Sequence, residues 1–95
     1  MNERSLVGKV AIVTGGGRGL GRVMTLALMR AGVQVVAAMH IADDLEKIEA
    51  EALAAESDGL GTVHAILADV RHADDCADVV KAAVREFGGL HILIN

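Results

Sequence analysis

Apolar and polar positions along the chain fall into short unbroken runs that alternate with longer periodic stretches. Lys9–Val13 is almost wholly apolar and stops at Thr14-Gly15-Gly16-Gly17. A run apolar on both faces predicts a strand covered on both sides. From Leu20, apolar residues fall at 20, 23, 24, 27, 28 and 31, with Gly32 in a C-cap position. That is the helical period. Val33–Met39 predicts a second buried strand. Asp43 with Glu46 has capping-box spacing, and Leu45, Ile48, Ala52 and Leu53 form the buried stripe of a second helix. A loop over 57–61 ends it. Val63–Leu67 predicts a third strand. A third helix over Asp74–Phe87 presents apolar positions 76, 79, 80, 83, 84 and 87 and closes at Gly88-Gly89. Leu90–Ile94 predicts a fourth strand before Asn95.

The order β-α-β-α-β-α-β predicts an α/β fold. Parallel strands would be joined by helical crossovers into a doubly wound, Rossmann-type sheet of order 3-2-1-4. No internal repeat or linker divides the 95 residues, so they are read as one domain.

Composition narrows the function classes. There is one Phe, no Trp and no Tyr, which removes base stacking on aromatic rings. Nine basic against thirteen acidic residues give a net charge of −4, dispersed along the chain. That predicts no nucleic-acid partner. No apolar run reaches membrane-spanning length, and none near the N-terminus makes a signal-peptide core. A single cysteine, Cys76, cannot form an internal disulfide, and the expected compartment is the cytoplasm. Cys76 lies on the apolar side of its helix and is expected in the core. Met24, Met29 and Met39 are read as core fillers. His40, His64, His72 and His91 have no metal-ligand spacing, and His72 with Asp74 and Asp75 reads as a helix start.

The candidate chemistry lies in Thr14-Gly-Gly-Gly-Arg-Gly-Leu-Gly21, between the first strand and first helix. A helix N-terminus offers free N–H groups and a positive dipole end to a phosphate, and glycines let the backbone approach it. The G-x-G-x-x-G fingerprint fails in every register. The Walker A pattern fails too, because Arg22-Val23 follows Gly21 where Lys-Ser/Thr is required. No acidic residue precedes the first glycine, against a methyl-donor site. The pattern that fits is T-G-x-x-x-G-x-G, through Thr14, Gly15, Gly19 and Gly21.

That pattern resembles the short-chain dehydrogenase/reductase family. The opening Gly8–Gly15 is similar to the family's first strand. Asp69-Val70 is similar to its adenine-contacting pair, and Gly88–Asn95 to the approach to its Asn-Asn-Ala-Gly motif. The resemblance covers residues 6–95. It implies that Gly15, Gly17, Gly19 and Gly21 shape a pyrophosphate turn, with Arg18 and Leu20 beside the cofactor. It implies that Asp69 accepts from the adenine amino group, that the Val70 backbone meets the ring edge, and that Asn95 lies near the nicotinamide ribose.

At the end of the second strand, where the family often carries an NAD-selecting Asp, stand Met39 and His40. With Arg18 in the loop, the resemblance leans to NADP over NAD. Asp43 and Asp44 are read as too late in the chain for ribose ligands and as part of a helix start. The implied activity is hydride transfer between nicotinamide and a small-molecule carbonyl or alcohol, in a homo-oligomer. The family's Ser and Tyr-x-x-x-Lys have no counterpart before Asn95. The chain is therefore expected to be an incomplete NAD(P)-binding domain, inactive alone, whose catalytic half is absent. The alternatives are a non-catalytic nucleotide-binding module, or a half completed by another chain.

Overall fold

The computed structural model describes residues 6–55 and 61–95. Seven elements follow in order: β1 (Val10–Thr14), α1 (Gly19–Arg30), β2 (Gln34–Met39), α2 (Ala42–Ala55), β3 (Val63–Leu67), α3 (Ala73–Phe87) and β4 (Ile92–Ile94). The strands form one parallel sheet of order β3-β2-β1-β4, as the alternation of elements predicts. Boundaries differ from the sequence reading by one or two residues. The loop read at 57–61 lies, apart from Gly61, outside the described residues.

Alternation along the two central strands distributes the core between two layers. Val10 and Ile12 of β1 with Val36 and Ala38 of β2 pack on Val79 and Ala83 of α3. Ala37 and Met39 point the other way, onto Leu26 and Met29 of α1 and Ile48 and Ala52 of α2. Ala11, Val13, Val33 and Val35 face Leu28 of α1 and Ile92 and Ile94 of β4. Both faces of β1 and β2 are thus covered, which is why both strands read as continuous apolar runs. On α1's side, Arg22 pairs with Glu51 of α2.

Helix ends follow the glycines. Gly88, at φ +81°, ends α3 and donates its N–H to the Val84 carbonyl at 2.8 Å. Gly32, at φ +93°, follows the last turn of α1. Entry into β4 is set by His91, which donates its N–H to the Val10 carbonyl while its Nδ1 accepts the Val10 N–H, both at 2.9 Å.

Five expectations are corrected. Cys76 is exposed, not in the core, and its Sγ donates to the Val70 carbonyl at 3.1 Å. The sheet covers the face of α3 carrying Val79, Ala82 and Ala83, and leaves Val80 and Val84 exposed with it. The α1 stripe is shifted: Thr25, Leu26 and Met29 are buried, while Leu20 and Val23 are exposed. Met24 is only half-buried, whereas Met29 and Met39 are core residues as expected. Asp43 is not a cap, because α2 begins at Ala42 and places Asp43 and Asp44 inside the first turn. The end of the α2 stripe, Leu53, is exposed as well.

Candidate functional site

The C-terminal ends of β1, β2 and β3 open on one cavity of about 440 Å³, within the range that ligand sites occupy. Its floor is Thr14 at the end of β1, Met39 at the end of β2, and Ala68 just beyond β3. Ligands of open α/β sheets bind outside the carboxyl ends of the strands.

The glycine loop makes one wall. Gly15 adopts φ +67° and Gly19 φ +55°, conformations that L side chains rarely take. The N–H groups of Gly15 and Gly16 donate to the Ala38 carbonyl, at 2.8 and 3.3 Å, fastening the loop to the end of β2. A Cβ on Gly17 would lie 2.6 Å from the Met39 Sδ and 2.8 Å from the Asp44 Cβ. A Cβ on Gly21 would overlap the Gly15 carbonyl oxygen. Helix and loop therefore close on each other with no room for a side chain. On Gly19, by contrast, a Cβ would meet nothing within 4 Å. That position opens on free space.

The N-terminus of α1 differs from those of the other helices. It has no acidic residue in its first turn; Arg18 at its N-cap, like His72 at that of α3, makes no side-chain capping bond. Helices α2 and α3 carry Asp43 and Asp44, and Asp74 and Asp75, in their first turns. Acidic groups there stabilise the positive end of the dipole. The α1 end keeps its N–H groups and partial charge for something else. A diphosphate fits this cradle.

Two side-chain pairs shape the mouth. Arg18 donates Nε to Asp44 Oδ2 at 2.7 Å and Nη2 to Asp44 Oδ1 at 3.2 Å. The arginine side chain is 67% exposed and the carboxylate only 10%. Across the cavity Arg71 donates Nε to Asp69 Oδ1 at 2.9 Å and Nη2 to Asp69 Oδ2 at 2.6 Å. The Arg71 backbone N–H adds a third bond at 3.0 Å. These bonds hold the Asp69 carboxyl well below the usual carboxylate range. The Asp69 N–H in turn donates to Asp75 Oδ2 at 2.7 Å, which anchors the turn to α3.

Of the residues singled out from the sequence, Gly15, Gly17, Arg18, Met39, His40, Asp69 and Val70 line this cavity together. Gly19, Leu20 and Gly21 form the first turn of α1 beside it, and Leu20 points to solvent. Asn95 is not in its wall. It lies past β4 on a second cavity of about 240 Å³, next to Thr14, Val70 and Cys76. The Thr14 Oγ1 donates to the Ile94 carbonyl at 3.3 Å and joins the tips of β1 and β4. Two charged lining residues were not assigned to the site, Asp44, read as too late in the chain, and Arg71; the apolar Ala38, Ile41 and Ala68 complete the wall. Arg71 was within reach of a sequence reading, because Asp69-Val70-Arg71 places its fork two residues from the carboxylate.

Fold and loop define the class: a doubly wound α/β unit with a glycine-rich first β-to-α turn. The family follows from comparison. A sequence profile described as short chain dehydrogenase matches residues 9–95. A short chain dehydrogenase of Claviceps purpurea is 42% identical over 91 residues, 95% of this chain and 33% of its own. L-fucose dehydrogenase of Bos taurus is 40% identical over 88 residues, 93% of this chain and 30% of its own. The apo crystal structure of glucose dehydrogenase of Caenorhabditis elegans matches with a TM-score of 0.86 at 32% identity, covering 95% of this chain and 38% of that one. The chain belongs to the short-chain dehydrogenase family, whose relatives here are oxidoreductases. It spans about a third of the length of the curated relatives it matches.

Proposed function

We propose that the 95 residues are the cofactor-binding domain of an NAD(P)-dependent oxidoreductase acting on a carbonyl or alcohol group. The observation that carries this reading is the α1 N-terminus, uncapped and free of acid, beneath a loop whose glycines leave open space at Gly19. The dinucleotide, when bound, would supply the hydride. The chain's own residues would bind and orient it. Gly15, Gly17, Gly19 and Gly21 let the loop approach a pyrophosphate, and the N–H groups at the head of α1 face its charge. Asp69 accepts from the adenine amino group, sharing its carboxylate with Arg71. The Val70 backbone borders the base and Leu20 flanks the loop. Asn95 approaches the nicotinamide end past β4. No tyrosine occurs among the 95 residues, and no residue of the chain is assigned a proton-transfer role.

NADP is the favoured cofactor. Arg18 offers a guanidinium fork at the mouth, while Met39 and His40 occupy the end of β2 where a carboxylate would favour a ribose 2′-hydroxyl. Arg18→Ala removes the fork, and Met39→Asp sets a carboxylate against a 2′-phosphate. Each is expected to lower the ratio of NADP to NAD affinity by about tenfold, the scale of one charge-assisted contact. Calorimetric titration of both dinucleotides into the purified protein reads the ratio. An unchanged ratio in both variants would refute the assignment of positions 18 and 39.

A homo-oligomer is the favoured assembly. Val80 and Val84 of α3 and Leu93 of β4 are exposed apolar residues, surface that another part of the polypeptide or a partner chain would cover. A reducing, cytoplasmic setting suits the lone exposed thiol of Cys76. No helix among the described residues is long and apolar enough to cross a membrane.

A further inference from the structure

The carboxylate of Asp44 lines the same cavity as Arg18, is almost wholly buried, and stands against the loop at Gly17. It sits in the first turn of α2, five residues beyond Met39 at the end of β2; too late in the sequence for a ribose ligand by spacing alone, it is brought into the cavity wall by the fold. The helix dipole favours a carboxylate there. Its pair with Arg18 is side-on, through Nε and Nη2. A guanidinium has five N–H groups. The side-on pair engages two of the five and leaves the Nη1 edge of the fork for a second acceptor. The mouth of the cavity therefore holds one fixed positive and one fixed negative charge in contact, not a bare arginine.

We infer that Asp44 is a specificity-determining residue that tempers the preference of Arg18 for a 2′-phosphate, so that the site accepts NAD as well as NADP. The inference rests on the reading of this cavity as a dinucleotide site with the ribose 2′-position beside Arg18. A 2′-phosphate meets the free edge of the fork but also the field of the carboxylate. A 2′-hydroxyl can donate to Asp44 and accept from Arg18. Sequence position hides this arrangement, since the two residues are 26 apart and on different elements.

The test is the ratio of NADP to NAD affinity, by calorimetric titration into the purified protein. Asp44→Asn keeps the shape and one acceptor for Arg18 while removing the charge. The ratio is expected to rise by about fivefold or more, as expected when a unit charge next to the phosphate is removed from a partly solvated site. A residue that only supports the fold would weaken both dinucleotides alike, and a ratio that stays constant or falls overturns the inference. Arg18→Ala is the second arm and does not depend on Asp44→Asn folding. It leaves an unpaired carboxylate at the mouth, so NAD should then bind more tightly than NADP. Equal affinities in that variant would show that Asp44 does not sense the 2′-position. Failure of the wild-type protein to bind either dinucleotide would instead remove the underlying reading of the cavity, a separate outcome.

Discussion

Gly61→Ala is expected to unfold the protein, or to leave it insoluble on expression. An alanine Cβ at that position would overlap the Val33 carbonyl oxygen and lie 2.5 Å from the Val33 carbonyl carbon and 2.9 Å from that of Gly32. All three atoms are backbone, so no rotamer change relieves the clash. The segment entering β3 would have to move away from the start of β2. That movement breaks the bond from the Gly61 N–H to the Met29 carbonyl at 2.9 Å, and that from the Val35 N–H to the Thr62 carbonyl at 2.8 Å. The second of these opens the β2–β3 ladder. Losses above about 4 kcal/mol come from mechanisms of this kind, against a total stability of about 5–15 kcal/mol for a small domain. Urea unfolding followed by circular dichroism measures the loss. A midpoint close to wild type would mean that the β2–β3 approach is looser than described.

Gly21→Ala is the second large effect, and it falls on binding. The added Cβ would overlap the Gly15 carbonyl oxygen and lie 2.8 Å from its carbon. The first turn of α1 and the start of the loop would be pushed apart at the point where the N–H groups converge. The sheet and the contacts of α1 further along, through Leu26 and Met29, are remote from that wedge and should hold. Dinucleotide affinity is expected to drop at least about a hundredfold, roughly the loss of two charge-assisted hydrogen bonds. Retained affinity with a native circular dichroism spectrum would show that the loop can open without cost, and that its closure is not what holds the ligand.

How much of this is legible in the sequence depends on the range of the interaction. Strands β1 and β2 were plain because both their faces are buried and their runs are continuously apolar. The glycine turn was plain because it is made of backbone, and glycines at 15, 19 and 21 mark where the backbone must bend or approach. Helix faces were read less well. The apolar stripes of α1 and α3 are wider than the surface that these residues cover. The sequence therefore assigned Leu20, Val23, Cys76, Val80 and Val84 to a core that leaves them exposed. Periodicity reports which face is apolar, not whether anything lies against it. Asp44 was read as too late in the chain to reach the site, for a different reason. Its partner comes from another βα turn, and only the parallel pairing of β1 with β2 brings the two turns side by side.

The claim on which the rest depends is that the glycine turn holds a dinucleotide pyrophosphate. Calorimetric titration of NADP and NAD into the wild-type protein and into Gly19→Val tests it most directly. The valine would enter space that is open in the structure and would strain a backbone held at φ +55°. The account predicts saturable binding to wild type and none measurable to Gly19→Val, with the folded spectrum kept. Equal affinity in the two proteins would contradict it.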